Sequence, residues 1–480
     1  MSIFLNYAIE TAVRIARIDP IDGLRLVERP VEIPMARIGF QPNQQSRAYA
    51  RSSASFRSGV LSPSRPLVSW FALIGVLLPF YLAIYVGGAR FPPGRIIFFF
   101  LLIPALVTLF SGGRRAVLSD AFAIAAAAWM VFATSYSGSA AGTTSAIAQA
   151  LEFLSAYLTG RAFFLERPAV ESFVKALRIV TIAIVALALV DTASGQFMIH
   201  NTVAGFMNVE PLSPQYRNGI VRATATLDHP ILLGCFCAFA AAIFLYAERS
   251  AVLRIIFVGI ALLGCLLTLS SAPFQGFAVV LGAYAYDRIL ARFPLRWVVL
   301  IAGLGGVLLL AFLLTNNPVG WVIRNLTLDP FTGYWRVMIW EIATAQIAKF
   351  PITGLFEPFN NEILDSTVDS VWLVVSLRYG IPMAALLFLV NISTFWSNGK
   401  RKVRNSDPYM NQLRTGFTLV LATFMFLGFT VHFWNYMWLF WSLCIGIRAS
   451  LREQSFHRFR ARAAKQSTLH ARLDRPTSMI

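Results

Sequence analysis

From Leu67 almost to Arg448 the chain is a succession of apolar runs near 20 residues long, and few charges interrupt them. A run of roughly 20 apolar residues is what an α-helix needs to cross the hydrocarbon of a bilayer. A charge at mid-bilayer costs about 2.5–3.5 kcal/mol on insertion scales, so long uncharged windows argue for burial in lipid. Composition agrees. With 57% hydrophobic residues, 13% charged residues and a mean hydropathy of +0.64, the chain carries more apolar surface than a soluble core absorbs. The expected fold class is all-α, a polytopic integral membrane protein.

Twelve spans are expected, at roughly 67–87, 96–111, 117–136, 146–164, 177–195, 230–247, 252–270, 273–290, 297–315, 371–396, 413–431 and 433–449. Residues 1–66 are polar and mixed, without a short basic region leading into an apolar stretch, so they read as a disordered basic cytoplasmic tail and not as a cleavable signal peptide. Residues 450–480 read as a second basic cytoplasmic tail, leaving 67–449 as the transmembrane domain.

A formal net charge of +18 would suit a nucleic-acid partner, but the placement of the charges excludes that reading. Twelve spans put both termini inside, and on that numbering 33 of the 41 Lys and Arg residues fall on the cytoplasmic side. That is the bias of the positive-inside rule, and one missed helix midway would scramble it. Cys235, Cys237, Cys265 and Cys444 sit inside apolar runs without metal-ligand spacing and read as core packing, so no metal site is expected. Asp191, Glu152 and Asp287 lie near span ends, where solvated placement is the default, and His200, His432 and His457 have no evident partners in the sequence.

Two outside connections are long, 196–229 and 316–370. Long connections concentrate function. In the second, Tyr334 to Phe350 has helical periodicity, with Trp335 and Trp340 suited to an interface and Pro351 as its stop. It reads as an amphipathic helix on the outer leaflet.

Three clusters carry the chemistry. The first, Arg217 to Pro230, gathers Arg217, Arg222, hydroxyls, Asp228 and His229 just before the sixth span, with Pro230 opening the helix at its first turn. The second holds Tyr334, Arg336 and Trp340, followed by Lys349-Phe350-Pro351-Ile352-Thr353-Gly354. Arg336 is expected near the start of the amphipathic helix, where a guanidinium grips a diphosphate bidentately and helix amides add to the attraction. The third runs from Asp365 to Leu373 and on to Arg378-Tyr379-Gly380. Asp369 is expected to cap the tenth span and to take a proton from an attacking sugar hydroxyl. Arg378, inside the span, is costly there unless it is paired, which is itself a functional signal.

In this order and spacing the clusters resemble the O-antigen ligase and Wzy-type polymerase superfamily of bacterial membrane glycosyltransferases. The resemblance covers Arg222 to Pro382 by motif and the remainder by topology only. It implies a GT-C-like membrane enzyme of the bacterial inner membrane, with an undecaprenyl-diphosphate-linked glycan as donor at the periplasmic face and no cofactor. It implies further that Arg222 and Arg336, with Arg217 or Arg378, bind the diphosphate leaving group. His229, Tyr334 and Trp340 then contact substrate, and Asp369 is the general base of an inverting displacement. Ligases of the superfamily show a His-Asn-type pair where this chain has Asp369-Ser370, so the resemblance is nearer to exopolysaccharide polymerases, with ligation as the alternative. Membrane lipid, a chain-length regulator and a flippase are the implied partners. A lipid-linked oligosaccharide flippase is the competing class. It predicts related halves and polar groups along a central path, whereas here the outside loops are unequal and the ionisable groups gather on one face.

Overall fold

The structure, a computed structural model, describes residues 65–86, 89–111, 114–137, 140–314, 330–355, 358–359, 361–395 and 407–473. The expected N-terminal tail lies outside them except for its last two residues, as does His457 for its side chain.

The first expected span is cut short. Helix α1 (Arg65–Leu77) ends just before Pro79, which has no N–H to continue the ladder. The chain then makes a 3₁₀ turn at Phe80–Leu82 and a short antiparallel hairpin of β1 (Ile84–Val86) and β2 (Ala89–Phe91). Helices α2 (Pro93–Ser111), α3 (Leu118–Tyr136), α4 (Ala140–Phe163) and α5 (Arg167–Ser194) follow, α4 and α5 starting well before their expected positions. The long connection after α5 is not plain loop: it carries α6 (Met198–Met207) and a hairpin of β3 (Tyr216–Arg217) and β4 (Ile220–Val221).

Next come α7 (Pro230–Ala247), α8 (Ala251–Leu267), α9 (Ser271–Ile289) and α10 (Arg296–Leu314). Beyond them lie α11 (Pro330–Lys349), α12 (Glu362–Ser366), α13 (Val371–Tyr379), α14 (Ile381–Phe395), α15 (Pro408–Leu427) and α16 (Tyr436–Leu473). Helices α2, α3, α5 and α7 are each long and apolar enough to cross a membrane, and α1, α8, α10 and α14 hold shorter apolar stretches. Helix α7 is the centre of the bundle. All but one of its residues are buried, and it packs against α5, α8, α9 and α15.

The C-terminal region differs from expectation, since α16 runs unbroken to Leu473 through most of what reads as a tail. Its first half lies along α4. Gly160 and Gly446 face one another there so closely that a Cβ on either would strike the other helix's backbone. Small residues let helices approach in this way, where van der Waals contact is the main source of association.

Glu152 and Asp287 are paired within the bundle, which corrects the expectation that they are solvated. Glu152 is buried and accepts from Arg95 Nε at 2.7 Å. Asp287 accepts from Tyr246 Oη at 3.0 Å and from Arg296 Nε at 2.8 Å. The four cysteines are buried and unbridged, as packing residues would be.

The tenth expected span is two helices. Gly380 adopts φ +80° and separates α13 from α14, with Pro382 in the first turn of the second. The break is filled by the segment after α11: Ile381 N–H donates to Pro351 O (2.8 Å) and Leu355 N–H donates to Leu377 O (2.6 Å). Gly354, also left-handed at φ +70°, lies against this corner, and a Cβ on Gly380 would run into the carbonyl of Ile352. The two sequence motifs ending in Gly354 and Gly380 therefore lock to each other. Gly380→Ala is expected to cost at least about 2–3 kcal/mol through the positive φ and the backbone clash combined. A fall of several degrees in the thermal midpoint of the purified protein checks this.

Candidate active site

The loop before α7 is shaped from beneath by a carboxylate. Asp191, near the end of α5, is fully buried; its Oδ2 accepts the N–H groups of Thr224 (3.2 Å) and Ala225 (2.8 Å), and its Oδ1 accepts that of Met198 (3.1 Å). Ala225 stands at φ +54°, a left-handed conformation that costs about 1–2 kcal/mol for a residue with a Cβ, and the two hydrogen bonds hold it there. From the other side His200 Nε2 reaches the carbonyl of Leu227 at 2.9 Å, so this histidine has a structural partner after all.

Held in this way, the loop presents its arginines to the turn between α8 and α9. Arg222 donates from Nη2 to Ser270 Oγ (2.8 Å), from Nη1 to Gln215 Oε1 (2.9 Å) and from Nε to Thr268 O (3.3 Å). Arg217 Nη1 donates to Leu269 O at 2.6 Å, a carbonyl turned out by the left-handed φ of +46° at Leu269. Burial lowers the pKa of Arg222 to about 10, helped by the like charges of Arg217 and Arg336, so it remains a cation at neutral pH and adds to a concentrated positive field.

Arg336 comes from α11, a helix in the place expected from the sequence but starting four residues earlier, at Pro330. The apolar side of that helix, Ile339 and Ala343, packs on Leu373, Val374 and Leu377 of α13 and on Phe359 and Leu364. The helix starts at Pro330, so Arg336 lies well inside it and not at its start; the attraction expected from N-terminal amides does not reach that position. Its Nε has no hydrogen-bond partner among the described residues and stands 3.7 Å from Asp369 Oδ2.

Asp369 is not the helix cap. Ser370 caps α13, its Oγ accepting from Leu373 N–H (3.4 Å) and donating to Gly428 O (2.9 Å). The neighbouring carboxylate is thereby left available: Asp369 Oδ1 accepts a hydroxyl proton from Thr367 at 3.2 Å, and 37% of the side chain remains exposed. Asp365, close by, is committed instead to the N–H groups of Phe359 (2.6 Å) and Asn361 (3.2 Å).

These groups line one cavity of about 480 Å³, with Arg217, Arg222, Arg336, His229 and Asp369 all in its wall. His229 caps α7 through Nδ1, which accepts from Ile231 N–H at 3.1 Å. Burial, and then Arg222, lowers its pKa to about 4, so the ring is neutral and the Nε2–H remains as a donor. His432, unremarkable in the sequence, also lines the cavity and stacks edge-on to Trp434 at 5.5 Å.

Three expected contacts lie elsewhere. Tyr334 is largely exposed and does not line the cavity. Trp340 stacks on Phe429 and donates to its carbonyl (3.2 Å), fastening α11 to the turn after α15. Arg378, deeper along α13, belongs to a second cavity described below.

Asp228 is the least solvated carboxylate of the loop. Asn435 Nδ2 donates to its Oδ2 at 2.7 Å, and burial raises its pKa to about 6. A carboxyl whose folded pKa lies above its unfolded value stabilises the fold relatively more at low pH, and that contribution is lost as pH rises through about 6. Asp228→Asn, which keeps an acceptor for Asn435, is therefore expected to raise stability at pH 8 by on the order of 2 kcal/mol while changing little at pH 4. Thermal unfolding at the two pH values checks it.

Among the described residues there is no group of three or more His, Cys, Asp or Glu side chains arranged to hold a metal ion. No protein-family model and no curated protein matches the chain.

Proposed function

We propose that this chain is a membrane glycosyltransferase that polymerises undecaprenyl-diphosphate-linked repeat units of an exopolysaccharide or O-antigen. In this reading it crosses the bacterial inner membrane about a dozen times with both termini in the cytoplasm, and the cavity opens on the periplasmic side. The observation that carries the reading is the convergence of three guanidinium groups from two distant segments with an available carboxylate on one cavity wall.

The chemistry follows from those groups. Arg217, Arg222 and Arg336 hold the diphosphate and stabilise the charge that builds on it as the glycosidic bond breaks. Asp369 accepts the proton of the acceptor hydroxyl as its oxygen bonds to the anomeric carbon. The bonding electrons leave with the diphosphate, and the anomeric configuration inverts in the single displacement.

Reconstituting the purified protein in vesicles with a lipid-linked repeat unit tests the proposal. The expected product is a ladder of longer, still diphosphate-linked glycans. Transfer onto lipid A core in place of a ladder would make the chain a ligase, and movement of the unaltered substrate between leaflets would make it a flippase.

A further inference from the structure

Below the arginine cavity along α13 is a second one, of about 240 Å³, and the two share Val374, His432 and Trp434 as wall. Together they reach the roughly 300–1,000 Å³ typical of small-molecule sites. The lower cavity is unlike a packing defect, because empty defects are apolar and this one is lined by Gln149, Asn435, Arg378 and the Arg95–Glu152 pair as well as by two indoles.

One of those indoles, Trp438, is 8% exposed, and its Nε1–H has no acceptor among the described residues. Buried indole N–H groups ordinarily find a partner. His432 is neutral, burial and the nearby Arg378 lowering its pKa to about 3, and a neutral imidazole offers one donor and one acceptor. Arg95 is offset by Glu152 at 2.7 Å, so this part of the wall is polar without net charge. Aromatic faces beside groups that both donate and accept are what a sugar ring requires, with apolar C–H faces and a rim of hydroxyls.

We infer that the lower cavity is a saccharide subsite, holding one sugar ring of the substrate whose diphosphate occupies the arginine cavity above it. The inference rests on the functional reading given above. It assigns the Trp438 N–H to a sugar hydroxyl or ring oxygen and makes Trp434 and His432 the partition across which diphosphate and sugar are held together.

The test is saturation-transfer NMR on the full chain in nanodiscs, with glucose, galactose, N-acetylglucosamine and glucuronate as probes and inorganic diphosphate as an independent ligand of the upper cavity. At least one sugar is expected to bind. Trp438→Phe, which keeps the aromatic face and removes only the N–H, is expected to weaken it about fivefold. Val375→Phe, which fills the lower cavity, is expected to abolish it. Diphosphate binding is expected to persist in both variants, which also shows that they are folded. Diphosphate binding without any sugar binding, or sugar binding indifferent to both variants, would overturn the subsite. Failure of the unaltered protein to bind diphosphate would overturn the functional reading, and the subsite with it.

Discussion

Asp369→Asn and Arg336→Ala are each expected to leave the protein inserted in the membrane and to stop growth of long polysaccharide, so that single lipid-linked repeats accumulate. Asparagine preserves the shape at position 369 and still accepts from Thr367, but it does not take the proton of an attacking hydroxyl. Loss of a positioned base costs about 10²–10⁴ in rate. Arg336 makes no hydrogen bond through Nε among the described residues and faces Asp369 at 3.7 Å, so shortening it to alanine removes charge from the cavity at the cost of that one ion pair. The loss of one group that stabilises developing charge is worth about 10²–10³ in rate. Polysaccharide length on gels, with immunodetection of the membrane protein, separates lost chemistry from lost protein. Unaltered chain length in both variants would remove these residues from the reaction.

Glu453→Ala is expected to destabilise the fold by about 3–5 kcal/mol. Its carboxylate is fully buried between two helix ends, where Oε2 accepts from Arg114 Nη2 and Arg161 Nη1, both at 2.7 Å, and Oε1 accepts from Arg115 N–H at 2.8 Å. Removing one member of such a network leaves buried positive charge without compensation, which costs more than the intact network contributes. Arg161 keeps Asp120 as a partner at 2.8 Å, whereas Arg114 loses the carboxylate that it meets at 2.7 Å. Burial raises the pKa of Glu453, yet the hydrogen bonds from Arg114, Arg115 and Arg161 outweigh it and bring the pKa down to about 2. The stability it contributes is therefore present above its unfolded value and lost only as pH falls towards 2. The variant is expected to unfold at lower temperature throughout the neutral range; an unchanged midpoint would mean that the bundle relaxes around the gap.

Much of the candidate site is legible in the sequence because its residues are charged, and a buried or membrane-edge arginine signals itself by its cost. Arg217, Arg222, Arg336, His229 and Asp369 are named from sequence alone and share one cavity wall. Tyr334 and Trp340 are different: an aromatic residue at an interface has the same sequence signature whether it meets substrate or, like Trp340, fastens one element to another. Arg378 is adjacent to the motif but lies further along α13, where it lines the lower cavity and not the arginine cavity.

The features that escape sequence reading are those set by contacts between distant segments. Asp191 stands at a helix end like any solvated carboxylate, and only the fold brings the amides of Thr224 and Ala225 to it. Nothing local distinguishes Asp369 from Ser370 as the cap, since both side chains suit that role. The break at Gly380 is signalled by the glycine with Pro382 behind it, but the apolar run continues through both and periodicity alone reads a single span. In the same way, Pro79 ends α1 inside an apolar stretch.

The proposed chemistry requires Arg217, Arg222 and Arg336 to form one diphosphate site together. Native mass spectrometry of the protein in nanodiscs with added undecaprenyl diphosphate and, separately, undecaprenyl monophosphate tests it most directly. Retention of the diphosphate in preference to the monophosphate is predicted, with that preference lost in a variant carrying both Arg222→Gln and Arg336→Gln. Equal retention of the two lipids, or a preference that survives both substitutions, would contradict it.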